Sequence, residues 1–587
     1  MLSCALRGSI DVSIELDVKI APPSLADAWR TFVGIAAPQP ITLPSDFPVE
    51  WDNPEDAGRF WTRDRMHQPF PVPVLAADFF DLATGVGMNR GHEHYGRPVR
   101  MDRLRINCYM YSNVRMVVPP GEIPAASRQG EQNTLDALPG IWEQWESEWM
   151  PEVKDHLAWW DAFDLTGASL SSLSDRLSES FEKSARCWNI HFLLAPLITN
   201  PSSIFRDLYT DLFGEDRGLE SHGLTLAEDN KSLETDRELW ALSQYLRGMD
   251  NADALIESGS DDDLRRALGN RLDGFLAAYG HRSSDGAAFA DLSWFEEPGP
   301  ALATVRAYAA IAADENIDPL DDHAAQIVAR DRLIKTARDN LEGYPQSVRE
   351  RFDESLLLAQ QGSRLQEDHA YWIDQQSNAR THYVAMEAGR RLAGAGVINV
   401  YTDVNHLGLN EILEAMARLS SGDTGNLTGV IQERAANLAH WSRVDAPTEI
   451  GVRPAAGRSD TPTTRGLARF FGTPVEQGDD PSTVNGTPAS PGVAEGVARI
   501  IISLADTAKL LPGDVLVAPT TSPPWTPLFR IASAVVTDAG GVLSHCAVVA
   551  REYGMPAVVG TGIGTTRIKD GQRVRVDGDA GEIRILD

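Results

Sequence analysis

Residues Thr537 to Gly560 read TDAGGVLSHCAVVAREYGMPAVVG, and this stretch decides how the C-terminal part of the chain folds. Just upstream, Ile531-Ala-Ser-Ala-Val-Val536 is an apolar run of strand length. Gly540 and Gly541 then permit a sharp turn with positive φ and little bulk around it. Ser544 is a good N-cap, and Cys546 to Tyr553 predicts a helix closed by Gly554 and Pro556. His545 therefore stands in the first helical turn, where unpaired N–H groups and the helix dipole favour an anion. A neutral imidazole, available near pH 7, can attack phosphorus and hold the product as a phosphoramidate. A lone histidine in such a unit also serves as a plain structural cap, so its neighbours must decide between the two.

Those neighbours resemble the phosphohistidine loop of the swivelling domain in the phosphoenolpyruvate synthase and pyruvate phosphate dikinase family. Ala489-Ser-Pro-Gly-Val-Ala-Glu-Gly-Val-Ala498 resembles that domain's opening, and Pro512-Gly-Asp-Val-Leu-Val-Ala518 its next strand. Thr526-Pro-Leu-Phe529 and Arg551-Glu552 fit as well. The resemblance implies that His545 carries a phosphoryl group. Thr537, Asp538, Gly540, Gly541 and Ser544 would support the loop, and Arg551 would pair with phosphate or with a carboxylate. Cys546 departs from the small Ala, Ser or Thr usual at its position, and a thiol beside the nucleophile opens the site to oxidation.

The 587 residues suggest about three domains, and 42% apolar residues are ample for large cores. A charged fraction of 23% argues against wholesale disorder. The longest apolar stretches, such as Phe192-Leu-Leu-Ala-Pro-Leu-Ile198, fall well short of a membrane span, and the N-terminus does not read as a signal peptide. Cys4, Cys108, Cys187 and Cys546 are scattered without a CxxC, which speaks against a zinc site or a disulfide framework. The chain is thus expected in the cytoplasm. A net charge of −31 disfavours nucleic acid and anionic membranes as partners. Beyond about residue 485 acids and bases nearly cancel, so the excess lies upstream.

Ile10 to Ile20 alternates apolar and polar residues as a half-buried strand does, and Leu104 to Val118 is also strand-like. From about Thr134 to Trp441 long helical patterns dominate. Residues 446–484 are rich in Pro, Gly, Thr and Asp, with one apolar island at Leu467 to Phe471, and read as a flexible linker. About 40 flexible residues span roughly 35 Å by random-coil scaling, enough to move a carrier head between two sites. The expected architecture is multidomain α/β. A small β-containing part occupies residues 1–135, a helical substrate-binding body 136–445, the linker 446–484, and an α/β swivelling domain 485–587.

Within the body, Leu272-Asp-Gly-Phe-Leu-Ala-Ala-Tyr-Gly-His-Arg282 with Asp291-Leu-Ser-Trp-Phe-Glu-Glu297 resembles the substrate-binding part of rifamycin phosphotransferases and phenylphosphate-synthase-like proteins. Trp51 to Pro73, Leu365 to Asp374 and Gly389 to Ala393 look like further segments of it. The classical enzymes load their histidine through an ATP-grasp domain, for which this chain leaves no room, and they end in a pyruvate-binding barrel, which is not found. No GxxxxGK[ST] loop occurs either. Gly422, Gly425 and Gly429 read as a turn between helices, and Gly560, Gly562 and Gly564 as a Gly-rich turn after a strand.

The arrangement resembles two-component phenol kinases of the phenylphosphate synthase and acetovanillone kinase type. It implies a separate ATP-grasp subunit holding ATP and Mg²⁺, a phosphohistidine at His545, and a phenolic acceptor on the body. The acceptor site needs a base, cationic groups and an apolar slot. By that likeness His369 or His281 is the base and Arg282 or Arg380 the phosphate clamp, with Glu367 and Asp368 nearby. His191, one turn from Trp188, lines the ring slot or packs in the core, and Trp159-Trp160 read as core. His92 and His94, beside Gly91 and Gly96, have the spacing of a metal pair on a strand but lack a third ligand nearby, so they read as part of a loop and no metal site is expected. The rival readings are a rifamycin-type antibiotic phosphotransferase component and a non-enzymatic phosphohistidine carrier.

Overall fold

The computed structural model describes residues 39–214, 217–283, 289–311, 319–454 and 460–586. The strand expected at Ile10 to Ile20 lies outside them. The described chain is a largely helical body with a small antiparallel sheet at its N-terminal side and an α/β head at its C-terminus.

The small sheet has five strands: β1 Gln39–Pro40, β2 Phe60–Arg63, β3 Val99–Ile106, β4 Tyr109–Met116 and β5 Glu449–Arg453, in the order β1-β5-β2-β4-β3. The hairpin of β3 and β4 matches the strand-like stretch at Leu104 to Val118. β5 comes from the segment expected to be a linker, and it pairs with β1 on one side and β2 on the other. The described part of residues 446–484 thus holds a strand and a helix, both packed against the body. The segment's apolar island lies in that helix, Pro462–Phe471, capped by the Thr461 hydroxyl. That helix packs along the 44-residue helix Leu170–Phe213, where Arg469 reaches Asp207 at 2.6 Å and Asn200 donates to Thr463 at 3.1 Å. Local composition gave the loop reading, and tertiary packing overrides it.

We label as α1 the helix Leu170–Phe213, as α2 Lys231–Arg247, as α3 Gln346–His369, as α4 Gln376–Gly394, as α5 Pro462–Phe471 and as α6 His545–Glu552. α3 runs into α4 through a π-helical turn at Ala370–Gln375. The main core of the body gathers Leu177, Phe181, Trp188 and Leu194 of α1 with Leu365, Ile373 and Met386 of the α3–α4 run.

The head sheet has eight strands: β6 Thr483–Asn485, β7 Thr487–Ser490, β8 Val493–Ile500, β9 Val515–Ala518, β10 Ala534–Thr537, β11 Ala557–Val559, β12 Arg573–Asp577 and β13 Glu582–Ile585. Their order is β6-β13-β12-β8-β9-β10-β11-β7, parallel from β8 to β11 and antiparallel outside. β9, β10 and β11 are buried along their whole length, as the continuous runs VLVA, AVVT and AVV require of strands covered on both faces. Head and body share one apolar cluster: Leu239, Tyr308 and Tyr371 of the body pack with Leu516, Phe529 and Val549 of the head. The head is thus docked on the body. No helix among the described residues is long and apolar enough to cross a membrane.

Candidate active site at the seam between head and body

β10 delivers the chain into the turn that holds His545. Gly540 takes φ +108°, a conformation that L side chains rarely adopt. Gly541 is needed for a different reason: a Cβ there would stand 2.2 Å from the carbonyl oxygen of Arg469. α5 presses directly on the loop, accepting from the N–H of Gly541 at Phe470 and from that of Leu543 at Arg469, both at 2.9 Å. Thr537 ties the turn internally by donating to the Ala539 carbonyl at 2.9 Å. Ser544 has the extended backbone of an N-cap, but its hydroxyl makes no capping bond. That hydroxyl and the Nε2 of His545 are both buried without a partner among the described residues.

The other ring nitrogen is held. His545 Nδ1 lies 3.0 Å from Oε1 of Glu367 on α3, and Ser232 of α2 donates to Oε2 of the same carboxylate at 2.6 Å. A carboxylate only accepts, so the proton sits on Nδ1 and the lone pair on Nε2. Burial works to raise the Glu367 pKa, but the neighbouring His545 and the hydrogen bonds from it and from Ser232 bring it below the ordinary carboxylate value. The pair is thus a buried imidazole backed by a carboxylate, with its nucleophilic nitrogen turned away from that carboxylate.

Further contacts fix the head. Asp236 of α2 accepts from the hydroxyls of Tyr308 and of Tyr553, the latter at 2.7 Å, and lies 3.4 Å from Arg530. At the far end of α6 both oxygens of Glu552 accept from the backbone N–H of Ala227 at 3.0 Å. Burial, opposed by that hydrogen bond and by Arg551, raises Glu552 to about 8.

The remaining expected residues divide into those near this seam and those elsewhere. Arg282 is fully buried, donates to the Lys231 carbonyl at 3.1 Å and to Thr235 at 2.6 Å, and lies under the Tyr371 ring. Burial lowers its pKa to about 10. Asp368 accepts from the Lys231 N–H at 2.8 Å and from Arg364 at 3.3 Å. Both side chains anchor the start of α2. His369 is buried next to His191, with ring centroids 4.6 Å apart, and its Nδ1 lies 2.6 Å from the Leu365 carbonyl. His191 pairs with Asp374 at 2.8 Å, and Trp188 beside it donates to Asn378 at 3.1 Å.

Arg380 forms a two-pronged pair with Asp161, at 2.8 and 2.9 Å, and also bonds Gln376; its guanidinium is committed within the body and is not a phosphate clamp in this state. His281 packs on Phe295 and bonds the Tyr383 hydroxyl at 3.1 Å, with burial lowering its pKa to about 4. It makes no contact with the His545 pair. Arg551 donates to the carbonyls of Ala489 and Val542, so it supports the loop through backbone oxygens instead of a phosphate. Cys546 is buried and its thiol is pushed up to about 12, which removes the expected sensitivity to oxidation.

The Gly560 to Gly564 turn is filled by a carboxylate: Asp538 accepts from the Thr561 hydroxyl at 2.9 Å and the Thr565 N–H at 3.2 Å. An anion already occupies what a phosphate would need. Gly422 lies in a turn between helices, with φ +84°. His92 and His94 lie on the helix Val86–His94, neither in the expected loop nor on a strand, and residues two apart on a helix do not face each other. Sequence reasoning missed Ser232 and Asp236, and it quoted Asp374 and Glu552 only within family-like segments, with no role; each acquires its role from a partner remote in sequence.

A second feature of the seam is a cavity of about 260 Å³. Phe70, Val72 and Phe289 line it from the body and Ser522 and Trp525 from the head.

Comparison with known proteins adds to this geometry. Residues 510–581 match the family described as PEP-utilising enzyme, mobile domain, and residues 198–367 match the rifampicin phosphotransferase fourth domain. The chain is 32% identical over 571 residues to chondramide synthase cmdD of Chondromyces crocatus, covering 93% of this chain and 14% of that protein. It is 28% identical over 557 residues to the uncharacterised phosphotransferase YvkC of Bacillus subtilis, covering 90% of this chain and 62% of that protein. Over 101 residues, 17% of this chain, it is 52% identical to the phosphoenolpyruvate synthase of Aeropyrum pernix, covering 12% of that protein. The chain therefore spans less than two thirds of these relatives. The matches support a PEP-utilising mobile domain joined to a rifampicin phosphotransferase-like body.

Proposed function

We propose that this chain is a phosphotransferase component in which His545 receives a phosphoryl group and passes it to a hydroxyl bound at the body. The observation that carries this reading is the His545–Glu367 pair across the seam, with Nε2 left as the nucleophile. Away from the body, Nε2 attacks the donor's phosphorus, and the N–P bond forms as the donor's P–O bond breaks and its electron pair leaves with the donor; once the head docks, Glu367 holds the proton on Nδ1 and balances the imidazolium. When the acceptor oxygen attacks, its hydroxyl proton passes to solvent, the N–P bond breaks and its electron pair returns to Nε2. The departing group is then a neutral imidazole, a better leaving group than an anion.

In this reading the phosphoryl group comes from Mg²⁺-ATP on a separate ATP-grasp subunit, and the head leaves its docked position to collect it. The acceptor is a phenolic hydroxyl: a cavity of about 260 Å³ with Phe70, Phe289 and Trp525 in its walls suits one aromatic ring. A second reading, a rifamycin-type hydroxyl, is favoured by the match of residues 198–367. The small cavity weighs against so large an acceptor.

The test is to label the chain with Mg²⁺-ATP and a candidate ATP-grasp partner, then chase with simple phenols and with a rifamycin. Release of acid-labile phosphate to a phenol supports the first reading, and release only to the rifamycin supports the second. A label that neither acceptor removes would favour a carrier that hands its phosphoryl group to another protein.

A further inference from the structure

A group of side chains two residues beyond Glu367 has no part in that scheme. His369 closes α3, Asp374 lies in the π-helical turn that follows, and His191 faces them from α1. One ligand atom from each of the three falls within 4.8 Å of the others. The π turn explains the meeting. In a regular α-helix residues five apart are about 140° apart around the axis. The wider i→i+5 bonding of the π turn swings Asp374 back towards the face that carries His369.

We propose that His191, His369 and Asp374 bind one divalent transition-metal ion of the zinc class. Two imidazoles and one carboxylate with further positions left open form a donor set that such ions favour. The tautomers suit it. His369 points Nδ1 at the Leu365 carbonyl, 2.6 Å away, which places the proton there and the lone pair on Nε2. His191 Nδ1 and Asp374 Oδ1 lie 2.8 Å apart, close enough for one ion to bind both. His191 and Asp374 each keep 17% side-chain exposure, which leaves one side of the ion open to water or to a ligand oxygen. If the phosphotransferase reading holds, the ion adds positive charge beside the path of the phosphoryl group; the binding site itself does not depend on that reading.

The experiment uses the full, tag-free chain, stripped with a chelator and titrated calorimetrically with Zn²⁺, alongside His191→Gln, Asp374→Asn and His545→Ala. The expected result is one ion per chain in the parent and in His545→Ala. The two ligand variants should each bind at least ~10-fold more weakly. Titration of the parent with Co²⁺ should give visible absorption bands that Zn²⁺ abolishes, a readout that requires no variant to fold. No stoichiometric binding to the parent, or equal affinity in both ligand variants, would overturn the proposal. Because His545→Ala keeps the ion site, failure of metal binding and failure of phosphoryl transfer are read separately.

Discussion

The two ends of α6 meet the body through opposite chemistry. At the N-terminal end a body carboxylate, Glu367, stays ionised because it faces His545 and Ser232. At the C-terminal end a head carboxylate, Glu552, is buried against a single backbone N–H at Ala227, and burial holds its pKa at about 8. The first contact involves the reacting group and needs a fixed charge. The second is a docking contact, and it favours a protonated, neutral acid. One helix of eight residues thus joins the reactive contact to a pH-sensitive latch, with the Asp236 cluster as the buried anchor between head and body.

The largest way to break this comparison is to remove the anchor. Asp236→Ala takes away the carboxylate shared by Tyr308, Tyr553 and Arg530, and loss of one member of such a buried charged cluster costs about 3–5 kcal/mol. Denaturant melts should show the loss, and small-angle scattering should show a more extended chain. Next, Glu367→Gln should slow the chase of phosphate from His545 at least ~100-fold while leaving its loading unchanged. Equal slowing of loading and chase would mean that Glu367 acts in both positions of the head.

A pH effect of the second contact sharpens the contrast. Glu552 has a docked-state pKa raised above the ordinary carboxylate value, so its contribution to docking is fully present below about pH 4.5 and is lost as pH rises to about 8. Docking should weaken by up to about tenfold per pH unit in that window and level off above it. Glu552→Gln should flatten the profile, measured as head release by scattering or by a fluorescent pair across the seam. Glu367 has the opposite sign: its depressed pKa stabilises docking above the ordinary carboxylate range and is lost as pH falls through the docked value. The smallest effect concerns Cys546, whose thiol should resist alkylation in the native chain and react only after unfolding.

Much of the head is legible in the sequence because its signals are local. The apolar run, the two glycines and the helix that begins at His545 lie within some twenty residues, and β10, the +108° turn and α6 follow from them. Even there the reason for Gly541 is invisible, since the atom it avoids belongs to Arg469 in a segment that reads as a linker. The apolar island at Leu467 to Phe471 is the local sign that this segment packs. The body yields less. Its likeness to known substrate domains marks Glu367 among the polar candidates but not as the partner of His545, because that pairing is made across domains. Arg380 and His281 carry the same kind of signal yet turn out bound to Asp161 and Tyr383. A polar residue type shows that a charge or a ring is present; only the fold shows what it faces.

The account rests on Nε2 as the atom that carries phosphate while Glu367 holds Nδ1. The measurement that tests it is ¹⁵N–³¹P NMR of the chain after phosphorylation with Mg²⁺-ATP and an ATP-grasp partner, with His545→Ala as control. The prediction is a single phosphohistidine at His545 bonded through Nε2. A phosphate on Nδ1, or on a residue other than His545, would contradict it.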